Sequence, residues 1–362
     1  MSAADGLTRA QILAWLREKD EARLEELWRL ADDSRRRHVG DEVHRRGLIE
    51  LSNHCARLCA YCGIRAGNAG LVRYRMEPEE ILACARQAKA LGYGTVVLQA
   101  GEDPAHSTDC IADLVRRLAG ETDLAITLSL GERPLRDYEV WRRAGADRYL
   151  LRLETSDPAL FARIHPRRRG RPSRLAILRH LRELGYEVGS GVLIGIPGQS
   201  YESLAADLEL FRALDLDMIG VGPFIPHPAT PLGTAGRPDF PDAPDGEQVP
   251  NTEAMTYKVL ALARLLRPDA NIPSTTALAT LNTARGRELG LARGANIVMP
   301  NLTPPQYRAL YEIYPGKACV SETAAQCAHC LDARIRAIGR VPGTGPGWRP
   351  GHVPLASITV PC

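Results

Sequence analysis

The feature that most restricts the fold is a repeated alternation, in which short apolar runs are separated by amphipathic stretches with helical spacing. The runs at 48–51, 95–99, 124–130, 147–153, 187–194, 218–221, 271–275 and 296–299 read as strands. Segments such as DCIADLVRRLAG, RDYEVWRRAG, SRLAILRHLRELG and EAMTYKVLALARLLRPD lie between them, and several close on Gly. Strands linked by helices imply a parallel sheet covered on both faces, and eight such units predict a closed α/β (β/α)8 TIM barrel. The seventh run is the weakest, because Pro273 interrupts it. An open doubly wound sheet is the alternative, but no GxGxxG follows the first run.

Residues 1–47 are expected to form a helical extension, with Thr8 and Gln11 as a capping box and a lid or plug as its role. The barrel is expected over 48–304. A C-terminal segment with a second cysteine group follows over 305–362, its stretch 342–351 wrapping the outside. The Pro- and Gly-rich piece 226–250 predicts a loop at the barrel mouth. With 46 basic and 43 acidic residues, the charge balance gives no footprint for nucleic acid and no polybasic patch for a membrane. No run of about 18 apolar residues and no secretory leader is present, which predicts a cytoplasmic protein. In a reducing compartment, nine cysteines point to metal or catalysis rather than to disulfides.

Three of those cysteines, Cys55, Cys59 and Cys62, fall in LSNHCARLCAYCGIR, directly behind the first run. Loops after barrel strands build the active site, so the thiols are expected at the mouth. Three thiolates can hold a 4Fe-4S cluster and leave one iron free for a small chelating molecule. The other reading is a zinc site with His54 as fourth ligand. Cys84 and Cys110, in helical segments, read as small core residues, and Cys362 is terminal.

The CxxxCxYC motif in this context resembles the radical S-adenosylmethionine (SAM) superfamily. The resemblance implies that SAM chelates the vacant iron and that one electron cleaves its C–S bond to a 5′-deoxyadenosyl radical. It also assigns Tyr61 to the adenine, Ala100, Gly101 and Glu102 to the SAM amino group, and Glu154 and Arg174 to the SAM amine and carboxylate. An Arg fork suits a carboxylate independently of the likeness. The bland readings are a helix-start carboxylate for Glu102 and a solvated helix charge for Arg174.

Within the superfamily the chain is similar to the HydE family of FeFe-hydrogenase maturases. The likeness rests on YRMEPEEI, VVLQAGEDP, TLSLGERP, GADRYLLRLET, GIPGQ, GPFIPHPATPL, NIPSTTAL, GANIVMPNLTP and YPGKACV, in that order. It implies a small cysteine-ligated iron complex with CO and cyanide as substrate, an electron donor and other maturation proteins as partners. It also places an anion site at Thr127, Arg152, Thr275 and Thr276, with Met218, Tyr311 and Tyr314 lining the cavity. The threonines are equally accounted for by strand propensity. Cys319, Cys327 and Cys330 match an accessory Fe–S cluster, or a zinc site completed by His329. Leu153 departs from the family, which carries histidine there. Methylornithine synthase or biotin synthase activity, and a non-catalytic Fe–S scaffold, are the alternative functions.

Overall fold

The computed structural model describes residues 6–166, 170–234, 240–244 and 246–352. Its strands are β1 (Glu42–Ser52), β2 (Thr95–Ala100), β3 (Ala125–Ser129), β4 (Arg148–Leu150), β5 (Glu187–Ser190), β6 (Leu193–Ile194), β7 (Met218–Ile219), β8 (Gly222–Pro223), β9 (Ile297–Val298) and β10 (Val341–Pro342). β1 to β5 and then β7 pair in sequence, all parallel. The ring continues through single bridges, Met218 with Asn271 and Pro273 with Ile297, and closes where β9 pairs with β1. The closed (β/α)8 barrel is therefore borne out.

Three strand expectations need correction. The run at 187–194 is broken into β5 and β6 at Gly191, where a Cβ would lie 1.8 Å from the Gly220 carbonyl oxygen. Only glycine permits that approach, and the kink turns β6 to pair with β8. The seventh run forms no continuous strand, because Pro273 has no N–H to give to a ladder. Its neighbours carry the closure instead, with Asn271 N–H donating to Asp217 O at 2.8 Å and Ser274 N–H to Ile297 O at 2.9 Å.

The first strand begins at Glu42, six residues before the expected 48. The N-terminal helices Arg9–Arg17 and Glu21–Val39 do pack onto the barrel, the first started by the Thr8–Gln11 capping box. They lie against the outer helices Tyr201–Ala213 and Glu253–Leu266, so they neither plug nor cover the mouth. The plug is at the other end and comes from the tail. After β10 pairs with the start of β1, residues 345–349 turn across the lower opening instead of wrapping the outside. Pro346 O accepts from Thr95 Oγ1 at 2.9 Å and Arg148 Nη2 at 3.0 Å, while Gly347 O accepts from Arg46 Nη2 and Asn271 Nδ2, both at 3.0 Å. Trp348 lies under the Arg148 guanidinium, 4.0 Å from its ring centroid.

Candidate active site at the barrel mouth

β1 delivers Ser52 and the cysteine loop to the upper opening. That loop is seated on the end of β2: Gly101 N–H donates to Ser52 O at 3.3 Å and Ala56 N–H to Glu102 O at 2.9 Å. A Cβ on Gly101 would lie 2.3 Å from His54 O and 2.7 Å from Cys55 Cβ, so glycine is what lets the two segments meet. Asp103 fastens the base by accepting from Ser52 Oγ and Arg75 Nε, both at 2.7 Å. Burial pushes the Asp103 carboxyl up, but Arg75, Ser52 and the Ala105 N–H outweigh it and hold it at about 2.

Cys59 is buried, and Cys55 and Cys62 are partly buried. Burial raises all three thiols, Cys59 to about 12, so without metal they are protonated at neutral pH. One tetrahedral zinc with bonds of about 2.3 Å would need sulfurs less than about 4 Å apart. Among the described residues, only Glu102, Glu132 and His165 bring three ligand atoms within 4.8 Å of one another. The three sulfurs therefore do not all lie within 4.8 Å of one another, a wider spread than a single zinc ion needs. His54, the other candidate for zinc, lies instead beside Arg75 and Asp103.

Beside the thiols, Glu102 and Arg174 are buried parts of one charge network, so neither bland reading holds. Arg174 donates Nε to Glu132 Oε1 at 2.8 Å, Nη1 to Arg152 O and Nη2 to His165 Nε2, both at 2.5 Å. One N–H on each Nη remains to bind something else. Arg57, from between the cysteines, lies 3.7 Å from both Glu102 Oε2 and Glu132 Oε2. His165 is held neutral, its pKa lowered to about 2 by burial and by Arg174 and Arg57. The Glu102, Glu132 and His165 triad has the spacing of a metal site, but two guanidiniums stand among its atoms and repel a cation. Arg57, Glu132 and His165 were not singled out from the sequence. Glu132 stands in TLSLGERP, which carried the family likeness without a role for each residue.

Glu154 has φ +64°, a left-handed backbone that costs a non-glycine residue about 1–3 kcal/mol. It is held there by its N–H to Gly191 O at 3.0 Å and by its carbonyl accepting from Leu193 N–H at 3.1 Å. Its Oε2 has no hydrogen-bond partner, nor do Glu102 Oε2, Thr127 Oγ1, Thr275 Oγ1 and Arg152 Nε and Nη2, although all are buried. Arg152 Nη2 lies 3.1 Å from Glu154 Oε2 as an ion pair without hydrogen-bond alignment. Buried polar atoms left unpaired cost about 1–3 kcal/mol each, and such a group at a strand end marks a ligand site. Tyr61 feels the charges of Cys59, Glu154 and Arg174, which puts it on the same side.

The other cavity residues separate by depth. Met218 is in register with Gly189 and Leu150, one inward layer below Arg152, and its sulfur lies 2.8 Å from Arg46 Nη1. Thr276 opens the helix Thr276–Leu281, and its carbonyl accepts from Thr280 Oγ1 at 3.0 Å. Tyr311 is buried and its hydroxyl accepts from Gln99 Nε2 at 3.2 Å, while Tyr314 reaches the Thr280 hydroxyl. Between them and the second cysteine group, Lys317 enters the barrel and pairs with the buried Glu50, which also accepts from Asn301 Nδ2 at 2.9 Å. The sequence does not single out this pair, because Glu50 stands inside the first apolar run. Leu153 faces away from the barrel interior and lines a cavity of about 250 Å3 with Arg57, Glu132, Phe161 and Arg174.

In the second group, Cys319 (φ +61°) shares a hydrogen bond with Cys327 and receives Arg287 Nη2 at 3.7 Å. Cys327 and Cys330 follow each other on one face of the helix Ala324–Ala337, and His329 between them is exposed on another. Cys84 is a core residue as expected, whereas Cys110 is exposed, because its helix position faces solvent. Cys362 lies outside the described residues. The loop after β8 reaches the mouth as expected, Leu232 N–H donating to Ala60 O at 3.0 Å; its residues 235–239 and 245 lie outside the described ones.

Residues 49–211 match the radical SAM superfamily. The chain is 48% identical over 325 residues to the FeFe-hydrogenase maturase subunit HydE of Thermotoga maritima, covering 90% of this chain and 89% of that one. It belongs to the HydE family. Among the relatives of this family, 3-methylornithine synthase of Methanosarcina acetivorans is 29% identical over 282 residues, covering 77% of this chain and 75% of its own. The crystal structure of methylornithine synthase, PylB, superposes with a TM-score of 0.78 at 26% identity, over 94% of this chain and 95% of that one. As a HydE-family protein the chain is a radical SAM enzyme, with a 4Fe-4S cluster and SAM as its cofactors. No described helix is long and apolar enough to cross a membrane.

Proposed function

We propose that this enzyme acts in FeFe-hydrogenase maturation on a small cysteine-ligated iron complex carrying CO and cyanide. The observation that carries the reading is the set of unpaired buried polar atoms that Thr127, Arg152, Glu154 and Thr275 keep inside the barrel, with Glu154 close enough to Cys62 for its charge to act on that thiol. Bound at Cys55, Cys59 and Cys62, the cluster with SAM supplies one-electron cleavage of the SAM C–S bond and thereby a carbon radical. The chain's own residues do the rest. The carbonyls of Ala100 and Gly101, with Glu102 and Glu154, accept from the SAM ammonium, while the two free N–H groups of Arg174 meet its carboxylate. Tyr61 holds the adenine. Thr127, Thr275, Thr276 and Arg152 offer hydroxyls and a guanidinium to an anionic substrate, above Met218. Tyr311, Tyr314 and the Lys317–Glu50 pair cross the mouth and keep water from the radical.

The test is anaerobic reconstitution followed by reduction with dithionite. We expect a reducible 4Fe-4S signal and 5′-deoxyadenosine from SAM; absence of either overturns the reading. The maturation step is checked separately, by asking whether the protein restores hydrogenase activity to cells or extracts lacking HydE. Cys319, Cys327 and Cys330 are assigned to a second iron–sulfur cluster, and Cys327→Ser is expected to lower bound iron without lowering SAM cleavage.

A further inference from the structure

The loop that carries the cysteines has an outer face that neither the cofactors nor the substrate uses. Residues 51–76 contain Arg57, Arg65, Arg73 and Arg75 and no Asp or Glu, in a chain otherwise close to charge balance. Arg57 and Arg75 have carboxylates nearby. Among the described residues Arg65 and Arg73 form no ion pair: their hydrogen bonds go to backbone carbonyls of the same loop. Arg65 donates Nε to Cys59 O at 3.0 Å and Nη2 to Leu58 O at 3.2 Å, and Arg73 donates to the carbonyls of Asn53, Ile64, Arg65 and Asn68. The loop is stiffened without its charge being cancelled.

Between these guanidiniums stand two of the five large apolar side chains that are exposed among the described residues, Leu58 at 50% and Val72 at 65%. The two arginines link their segments of the loop, since Arg65 Nη2 donates to Leu58 O at 3.2 Å and Arg73, next to Val72, donates Nη2 to Arg65 O at 2.8 Å. Of the carboxylates that border the loop, Glu102 and Asp103 pair with Arg57 and Arg75, and Glu312 lies 3.5 Å from His227. An apolar crest ringed by uncancelled positive charge, one residue from Cys59, is the arrangement that captures an acidic protein and brings it close to the cysteines.

The geometry points to this face, Leu58, Val72, Arg65 and Arg73, as the docking surface for a small acidic one-electron carrier protein that reduces the cluster. The inference rests on the radical SAM reading, whose chemistry consumes one electron per SAM cleaved. At the interface one electron leaves the reduced carrier and enters the cluster, and no bond or proton changes hands.

The test uses full-length protein and an acidic ferredoxin. Binding of oxidised ferredoxin, read by calorimetry, needs no turnover. It should weaken at least about tenfold in Leu58→Glu and in Val72→Glu, neither of which removes a side-chain hydrogen bond, and should weaken as salt is raised. Dithionite-driven formation of 5′-deoxyadenosine should be unchanged in both variants, while the ferredoxin-driven rate falls. Equal ferredoxin affinity in parent and Val72→Glu, or equal binding of a basic cytochrome c, overturns the docking surface and leaves the enzymatic reading standing. Failure of dithionite to drive SAM cleavage in the parent overturns the enzymatic reading and the docking proposal with it.

Discussion

The two ends of the barrel bury similar polar groups and treat them in opposite ways. At the lower end, Arg46, Thr95, Arg148, Glu187 and Asn271 point inward and are answered by the tail, leaving Arg46 Nε as the atom without a partner among them. At the upper end Glu102, Arg152, Glu154 and Thr275 all keep unpaired atoms, and so does Thr127 deeper in the barrel, in register with Arg148. The Glu187 carboxyl shows the lower pattern: burial pushes it up, yet Arg148 and Arg46 outweigh burial and hold it low. The Glu102 carboxyl shows the upper one: burial dominates, the Glu132 N–H and Arg57 only partly offset it, and its pKa is raised. Satisfied charge at the bottom stabilises the fold, and unsatisfied polarity at the top waits for ligands.

The strongest way to break this contrast is Cys59→Ser. Loss of one of three thiolates at the upper end should abolish the 4Fe-4S absorbance and 5′-deoxyadenosine formation, with the melting temperature of the apoprotein within a few degrees of the parent. Arg148→Met is the mirror experiment. It leaves Glu187 buried without its closest partner, so unfolding should become easier by about 3–5 kcal/mol, while SAM cleavage per folded molecule stays the same. An effect of Arg148→Met on the kinetics alone would erase the distinction between the ends. Smaller still is Thr127→Val, which removes an unpaired buried hydroxyl at similar volume. Stability should hold or rise, and substrate turnover should fall roughly tenfold, about 1.4 kcal/mol. The mildest concerns Asp103, which is held at about 2 against an ordinary 3.8. Its folded state resists protonation, so its contribution is full above about pH 4 and is lost as pH falls towards 2. Denaturation curves should show Asp103→Asn less stable than the parent at pH 6, with the gap closing in acid.

Much of the upper end was legible in the chain itself. Thiols after a strand, Gly101 and Glu102 after the next, and Arg174 opening a helix are local facts, and barrel topology brings strand ends together. Arg57 and Lys317 were not legible, because each acquires its role from a partner far along the chain, Glu132 and Glu50, and His165 was not, because its role comes from the buried network it joins with Arg174 and Arg57. The tail misled for the same reason. A Pro- and Gly-rich stretch reads as surface when its carbonyls have no known donors, and here the donors are inward side chains of four different strands or strand positions.

By itself, then, the sequence determined the alternating units, the eightfold closure and the soft-ligand loop, since periodicity and residue chemistry act over a few neighbours. Tertiary structure alone decided which buried charges are spent on the fold and which remain free. That choice depends on whether a hydrogen-bond partner arrives from elsewhere in the chain, and burial makes the difference between arrival and absence worth kilocalories.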